Sequence, residues 1–185
     1  MNKMLLPILA LLLSACATPE PRCPMIANEG RYCLQPLSAI APFSAQQKIE
    51  MQFKARNETM LALIEVDSDA LRFAALSPFG QKLMQVQCTD THIEAPLWPD
   101  DRLDPALFCA MLQLSLWPDD SVRAGLQAPL QMESGVHTRR IDSPESTVFQ
   151  LRYQGAQPPY RHIELDMNDP ALHLNIETLQ GPAAQ

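Results

Sequence analysis

From Ile49 the chain alternates. In Ile49-Glu50-Met51-Gln52-Phe53-Lys54-Ala55 every second side chain is apolar, the pattern of a β-strand with one dry and one wet face. Residues 60–66 predict a second strand, more apolar throughout, and Asp67-Ser68-Asp69 a turn. Residues 71–76 and 82–88 predict two more strands, with Met84, Val86 and Cys88 sharing a face, and residues 91–95 a short fifth. Consecutive strands with short connections imply an antiparallel meander.

The period changes at Asp104-Pro105. Asp suits a helix N-cap and Pro the first helical position. Residues 106–116 follow, apolar almost all round and interrupted only by Gln113 and Ser115, so this helix must be buried. A short second helix over 120–124 would end at Gly125. Trp-Pro-Asp-Asp occurs at Trp98–Asp101 and again at Trp117–Asp120, which reflects similar local demands beside helices rather than a duplication. Alternation then returns over 130–132, 136–141, 147–153, 163–167 and 172–179, with breaks at Gly135, Asp142-Ser143-Pro144, residues 155–159 and Asn168-Asp169-Pro170. The order predicts a mainly β (α+β) fold: a curved antiparallel sheet of about ten or eleven strands forming an incomplete barrel, with a buried helical lid over its concave side.

Length and composition narrow this little. The chain has 185 residues, enough for one domain with a core, and its 17 prolines favour many short elements. The net charge of −7 comes without a basic cluster, which argues against a nucleic-acid partner, since phosphate binding needs a Lys/Arg footprint.

The amino terminus does change the picture. Lys3 precedes an apolar run over residues 4–13, too short to span a bilayer, which takes about 20 helical residues, and suited to the core of a secretory signal. Leu13-Ser14-Ala15-Cys16 resembles the bacterial lipobox, in which the cysteine thiol receives a diacylglyceryl group. This assigns residues 1–15 to a signal peptide, Cys16 to lipidation, and 16–45 to a spacer and cysteine-bearing segment ahead of a folded domain over 46–180. The bland alternative is an ordinary signal peptide with a chance cysteine. Ala17, where an Asp would resemble the inner-membrane retention signal, points to a protein held in the outer membrane and facing the periplasm.

Four further cysteines remain: Cys23, Cys33, Cys88 and Cys109. An even number in an oxidising compartment favours disulfides. Of the three pairings, Cys23–Cys33 with Cys88–Cys109 is preferred, the second tying a strand end to the helix; free buried thiols are the alternative. No pair has metal-site spacing, so no metal is expected.

The succession of strand, Leu76-Ser77-Pro78-Phe79-Gly80 turn, strand, helical insert and second set of strands is similar to LolA/LolB, the periplasmic carrier and outer-membrane receptor of lipoprotein localisation. It resembles in particular a family of proteobacterial outer-membrane lipoproteins, some encoded among aryl-polyene biosynthesis genes. The resemblance covers about Gln46 to Leu179. It implies a half-open barrel with a helical lid and an acyl-binding cavity, and a turn whose apolar tip dips into the membrane. Pro78, Phe79 and Gly80 occupy that place.

The turn can be read without the family. Ser at the first position, Pro at the second and Gly at the fourth fit a type I turn, which puts Phe79 at the corner. Its ring either packs on a neighbouring loop or meets a membrane. Candidates to line a cavity are Met51, Phe53, Leu71, Phe73, Met84, Phe108, Met111, Leu112 and Phe149, although an apolar stripe is also what a filled core presents. No G-x-S-x-G, H-E-x-x-H, C-x-x-C or phosphate loop occurs. His-Ile-Glu at His92–Glu94 and at His162–Glu164 reads as two solvent-facing pairs. The expectation is therefore a non-catalytic lipoprotein without a cofactor. It would bind an acyl or lipid ligand and pass it on at the outer membrane, with a periplasmic carrier or exporter as a possible partner. The alternative is an envelope protein-interaction module with a filled barrel.

Overall fold

The computed structural model describes residues 22–27, 30–53, 56–99, 104–168 and 171–181. The expected signal peptide, Cys16, most of the expected spacer and the two aspartates of the first Trp-Pro-Asp-Asp lie outside the described residues.

The elements run β1 (Met25–Ala27), β2 (Gly30–Arg31), a single 3-10 turn at Leu37–Ala39, β3 (Phe43–Phe53), β4 (Arg56–Val66), β5 (Leu71–Leu76), β6 (Lys82–Cys88), β7 (Ile93–Leu97), α1 (Pro105–Leu116), α2 (Asp119–Gly125), β8 (Gln131–Gly135), β9 (Thr138–Asp142), β10 (Thr147–Gln154), β11 (His162–Asn168) and β12 (Ala171–Gln180). β1 and β2 form a small ribbon. The other ten strands form one antiparallel sheet in the order β7-β6-β5-β4-β3-β12-β11-β10-β9-β8. Each half of the sheet is a meander, β3 to β7 and β8 to β12. The halves join only through β3 and β12, the first and last strands of the sheet. The edges β7 and β8 do not pair, so the sheet is not closed into a barrel, and the helical insert connects them.

The side-chain period of two divides the strands between a concave, apolar face and an outer, mostly polar one. Ala62, Ile64 and Val66 are buried on β4, whereas Leu61, Leu63 and Glu65 face out. Leu71, Phe73 and Ala75 on β5, Ile163, Leu165 and Met167 on β11, and Phe149 and Leu151 on β10 complete the buried layer.

Asp104 caps α1 by accepting from the Ala106 N–H at 2.8 Å, with Pro105 in the first turn. The helix stops at Trp117, whose extended backbone leads into Pro118. It carries apolar side chains on every side because it lies between the sheet and the amino-terminal segment. Phe108 meets Phe73 of β5 with ring centroids 5.0 Å apart, and the Cys88–Cys109 disulfide fastens it to the end of β6. On its other side Gln113 serves the preceding chain. Its Oε1 accepts from the Gln35 N–H at 2.7 Å and the Tyr32 hydroxyl at 3.2 Å, and its Nε2 donates to the Gln35 carbonyl at 2.8 Å. The second disulfide, Cys23–Cys33, closes the β1–β2 ribbon. Gly125 ends α2 where a side chain would strike the Tyr32 ring, 2.5 Å from the Cβ position. Ile26, Tyr32, Leu34 and Leu37 of the amino-terminal segment thus join the core beside the lid, and β3 itself begins at Phe43.

Candidate functional site

The β5–β6 connection is a hairpin with a fixed shape. The Gly80 N–H donates to the Ser77 carbonyl at 2.9 Å, closing a four-residue turn, and the Ser77 N–H donates to the Gln81 carbonyl at 2.8 Å. The Ser77 hydroxyl accepts from the Gln81 N–H at 3.1 Å. Gly80 takes φ +80°, the left-handed residue that a type I turn plus bulge requires to return to the strand. Pro78 restricts the rise into the turn. Phe79 stands at the corner, 97% exposed, its ring packed on no neighbouring loop.

The concave face grades from closed to open towards the same end of the sheet. Register defines its rungs. At the end away from the hairpin, Phe43, Val66, Leu71 and Cys88 lie side by side, then Ala45, Ile64, Phe73 and Val86, and all eight are buried. The next rung, Gln47, Ala62 and Ala75, is buried, but its fourth member Met84 is half-buried. Beyond it Ile49 faces half-buried Met60, and Met51 and Phe53, both half-buried, lie beside Leu174 and Leu172 of β12, half-buried too. α1 carries a half-buried strip of its own, packed against the core. Leu107, Phe108, Met111 and Leu112 share one side of the helix and are half-buried, whereas Cys109, Ala110, Gln113 and Leu114 are buried.

The nine expected lining residues therefore divide. Leu71, Phe73 and Phe149 belong to the packed core, while Met51, Phe53, Met84, Phe108, Met111 and Leu112 sit on the half-open part. Met60, Leu107, Leu172 and Leu174 join the second group without having been expected. For Leu172 and Leu174 the alternation was visible, but only the β3–β12 register sets them beside Phe53 and Met51.

The lid is held by a residue that sequence reasoning missed. Arg139 of β9 is 1% exposed on the concave side. Its guanidinium donates to the carbonyls of Leu114 and of Trp117, the latter at 2.8 Å, and to Asp119 Oδ1 at 2.6 Å. A cation thus meets the carbonyls left unpaired at the end of α1. Burial alone would raise the Asp119 carboxyl, but hydrogen bonds with Ser134 and Arg139 and the charges of Arg139 and Arg123 outweigh it and hold it below the ordinary carboxylate range. The second Trp-Pro-Asp-Asp is a structural joint: Trp117 is fully buried and its Nε1 donates to the Pro36 carbonyl at 3.2 Å. The only sequence signal for Arg139 was its place two residues before Ile141, on the same face.

The outer surface is uneven. Across β10 to β12 it carries an ionic lattice: Arg152 to Glu164 at 2.8 Å and to Asp166 at 3.5 Å, and His173 to Asp166 at 2.7 Å. His162 lies 3.7 Å from Glu164 and His92 3.3 Å from Glu94, both pairs on the outside. Across β3 to β6 the outer face is mostly uncharged and holds a shallow groove of about 470 Å³ lined by Leu63, Arg72, Ala74, Gln85 and Gln87 among others. Among the described residues no cluster of His, Cys, Asp or Glu could hold a metal ion, and no helix is long and apolar enough to cross a membrane.

Fold and site together define a class: an open, antiparallel half-barrel with a disulfide-fastened helical lid and an apolar hairpin tip at its open end. Residues 44–180 match the model of a family described as "Protein of unknown function (DUF3261)", and the chain belongs to that family. No curated protein matches the chain.

Proposed function

We propose that this protein is a non-catalytic lipoprotein, anchored in the outer membrane through Cys16 and facing the periplasm, that takes a hydrophobic acyl or lipid ligand between α1 and the open rungs of its sheet. One observation carries the reading: the fully exposed Phe79 and the half-open apolar rungs lie at the same end of the sheet. The incompletely closed sheet is compatible with a LolA/LolB-like fold, and that likeness supports an acyl cargo, either a lipoprotein's lipid or an aryl-polyene lipid delivered by a carrier or exporter. Methionines at 51, 60, 84 and 111 suit chains of variable shape. Transfer is passive: burial of a chain is worth about 0.8 kcal/mol per CH₂, gained here and surrendered again at the bilayer. Phe79 contributes roughly 1.5–3 kcal/mol of membrane contact, enough to orient a tethered body and far too little to hold one.

The test is the cargo itself. Protein taken from its native membrane and delipidated outside the fold should show co-bound lipid by native mass spectrometry. Met51→Lys, on the half-open rim, should abolish that lipid without unfolding the protein. A preparation that is repeatedly empty, and that binds no fatty-acyl probe, would sink the proposal and leave an envelope interaction module.

A further inference from the structure

One polar side chain interrupts the dry face of β3. The inward positions of that strand read Phe43, Ala45, Gln47, Ile49, Met51 and Phe53, and Gln47 is only 4% exposed. A carboxamide buried among apolar side chains needs partners for its oxygen and for both hydrogens of its nitrogen. Among the described residues it has one partner. Its Nε2 donates to the Thr178 hydroxyl at 3.2 Å, and that hydroxyl donates in turn to the Tyr160 carbonyl at 2.7 Å. With its hydrogen spent on Tyr160, the Thr178 hydroxyl can only accept from Gln47. The chain of bonds therefore fixes the carboxamide, with Nε2 towards β12 and Oε1 away from it.

The other side of Gln47 offers nothing polar. Ala62, Ala75 and Met84 complete its rung across β4, β5 and β6, and Ala45 and Ile49 flank it on β3. Oε1 and the second Nε2 hydrogen are left without a side chain to meet. Nor is Oε1 sealed in: among the described residues, the side-chain polar atoms both sealed and unpartnered are Arg22 Nη1 and Ser121 Oγ. The rung is also where packing changes. On one side of it lie the two fully buried rungs, and on the other the half-open ones of Met60, Met51 and Phe53. A chain entering from the open end passes Phe53 and Met51 and meets Gln47 last.

We infer that Gln47 is the specificity-determining contact at the inner end of the ligand site, and that the chain taken there leads with a neutral hydroxyl rather than a methyl group. This rests on the acyl-binding reading of the proposed function and names the leading end of its ligand. Oε1 accepts and the remaining Nε2 hydrogen donates, so the complementary group must do both, and a hydroxyl is the smallest that does. An ester only accepts and would leave Oε1 unmatched. An ionised carboxylate would face Oε1 with no cation to offset it, because Arg139, the buried cation of the concave side, is committed to the end of α1 and to Asp119. A bare methyl end would leave the carboxamide as it stands, half satisfied.

Dodecylphosphocholine and its ω-hydroxy counterpart, both below their micelle-forming concentrations, are titrated against full-length protein carrying a fluorescent fatty-acyl probe. Displacement of the probe gives their relative affinities. The charged heads hold the same end of both chains at the rim, so only the leading ends differ. The protein should hold the hydroxyl-ended chain about five-fold more tightly, although water solvates that end better. Gln47→Leu should reverse the order, with its urea midpoint confirming the fold. If that variant does not fold, Thr178→Val, which removes the hydroxyl that orients the carboxamide, should bring the two affinities together. A methyl-ended chain held as tightly by the parent protein, or a preference for the hydroxyl that persists unchanged in the variant, would overturn the role of Gln47 and leave acyl binding in place. A protein that binds neither the chains nor the probe would overturn the acyl reading and this inference together.

Discussion

Arg139 and Asp119 join the two parts of the fold that sequence order keeps apart. Arg139 Nη2 lies 2.6 Å from Asp119 Oδ1 and its Nε 3.1 Å from the same oxygen, while the rest of the guanidinium holds the end of α1. One side chain of β9 therefore ties the end of the first helix to the start of the second. Removing it leaves the Leu114 and Trp117 carbonyls without this buried donor and takes its closest cation from Asp119, which keeps Ser134 and Arg123. Arg139→Met should cost about 3–5 kcal/mol in urea unfolding, and should loosen the lid enough to raise amide exchange across α2.

The carboxylates give the pH dependence a direction. Asp67 is held at about 2, first by the hydrogen bond from Arg72 and then by the Asp69 and Ala70 N–H groups. Asp119 and Glu164 are also depressed, the latter chiefly by Arg152. A carboxyl whose folded value lies below its unfolded one adds stability above the unfolded value, and that stability is lost as pH falls through the folded one. Unfolding midpoints should therefore hold at neutral pH and decline from the ordinary carboxylate range, about 4, down towards 2. Asp119→Asn should flatten part of that decline.

The Cys88–Cys109 disulfide spans 21 residues of sequence and fastens the lid to β6. Replacing both cysteines with alanine should lower stability by about 3 kcal/mol, read by urea or thermal unfolding. If the lid covers the ligand, a fluorescent fatty-acyl probe should also leave the double variant faster than the parent.

Phe79 separates folding from function. Its ring is 97% exposed and contributes nothing to the core, so Phe79→Ala should leave stability within about 0.5 kcal/mol. It should weaken partitioning of the protein onto vesicles and slow ligand transfer to liposomes. Unchanged transfer would remove the membrane role of the turn.

Gly80 provides the conformational counterpart. Nothing lies within 4 Å of where its Cβ would be, yet its φ is +80°. Gly80→Ala should cost about 1–2 kcal/mol through backbone strain alone, detected as an earlier urea midpoint with the outer surface unchanged.

Local pattern carried much of this protein. Alternation from 71 to 76 and from 82 to 88 marked β5 and β6 at their observed ends, and Asp104-Pro105 marked the start of α1, because strand faces, turns and caps depend on neighbours a few residues away. Ser-Pro-Phe-Gly located the exposed aromatic for the same reason. Pattern alone gave no sign that β3 pairs with β12, that Tyr32 and Gln35 pack on the lid, or that Gln113 and Arg139 are satisfied inside. Those depend on partners distant in sequence: Gln35 for Gln113, and Leu114, Trp117 and Asp119 for Arg139. The division of apolar residues between filled core and open rungs was equally beyond the sequence. Phe73 and Phe53 read alike as inward aromatics, and only the covering of one rung by α1, with Phe53 left on an outer rung, makes the first core and the second rim.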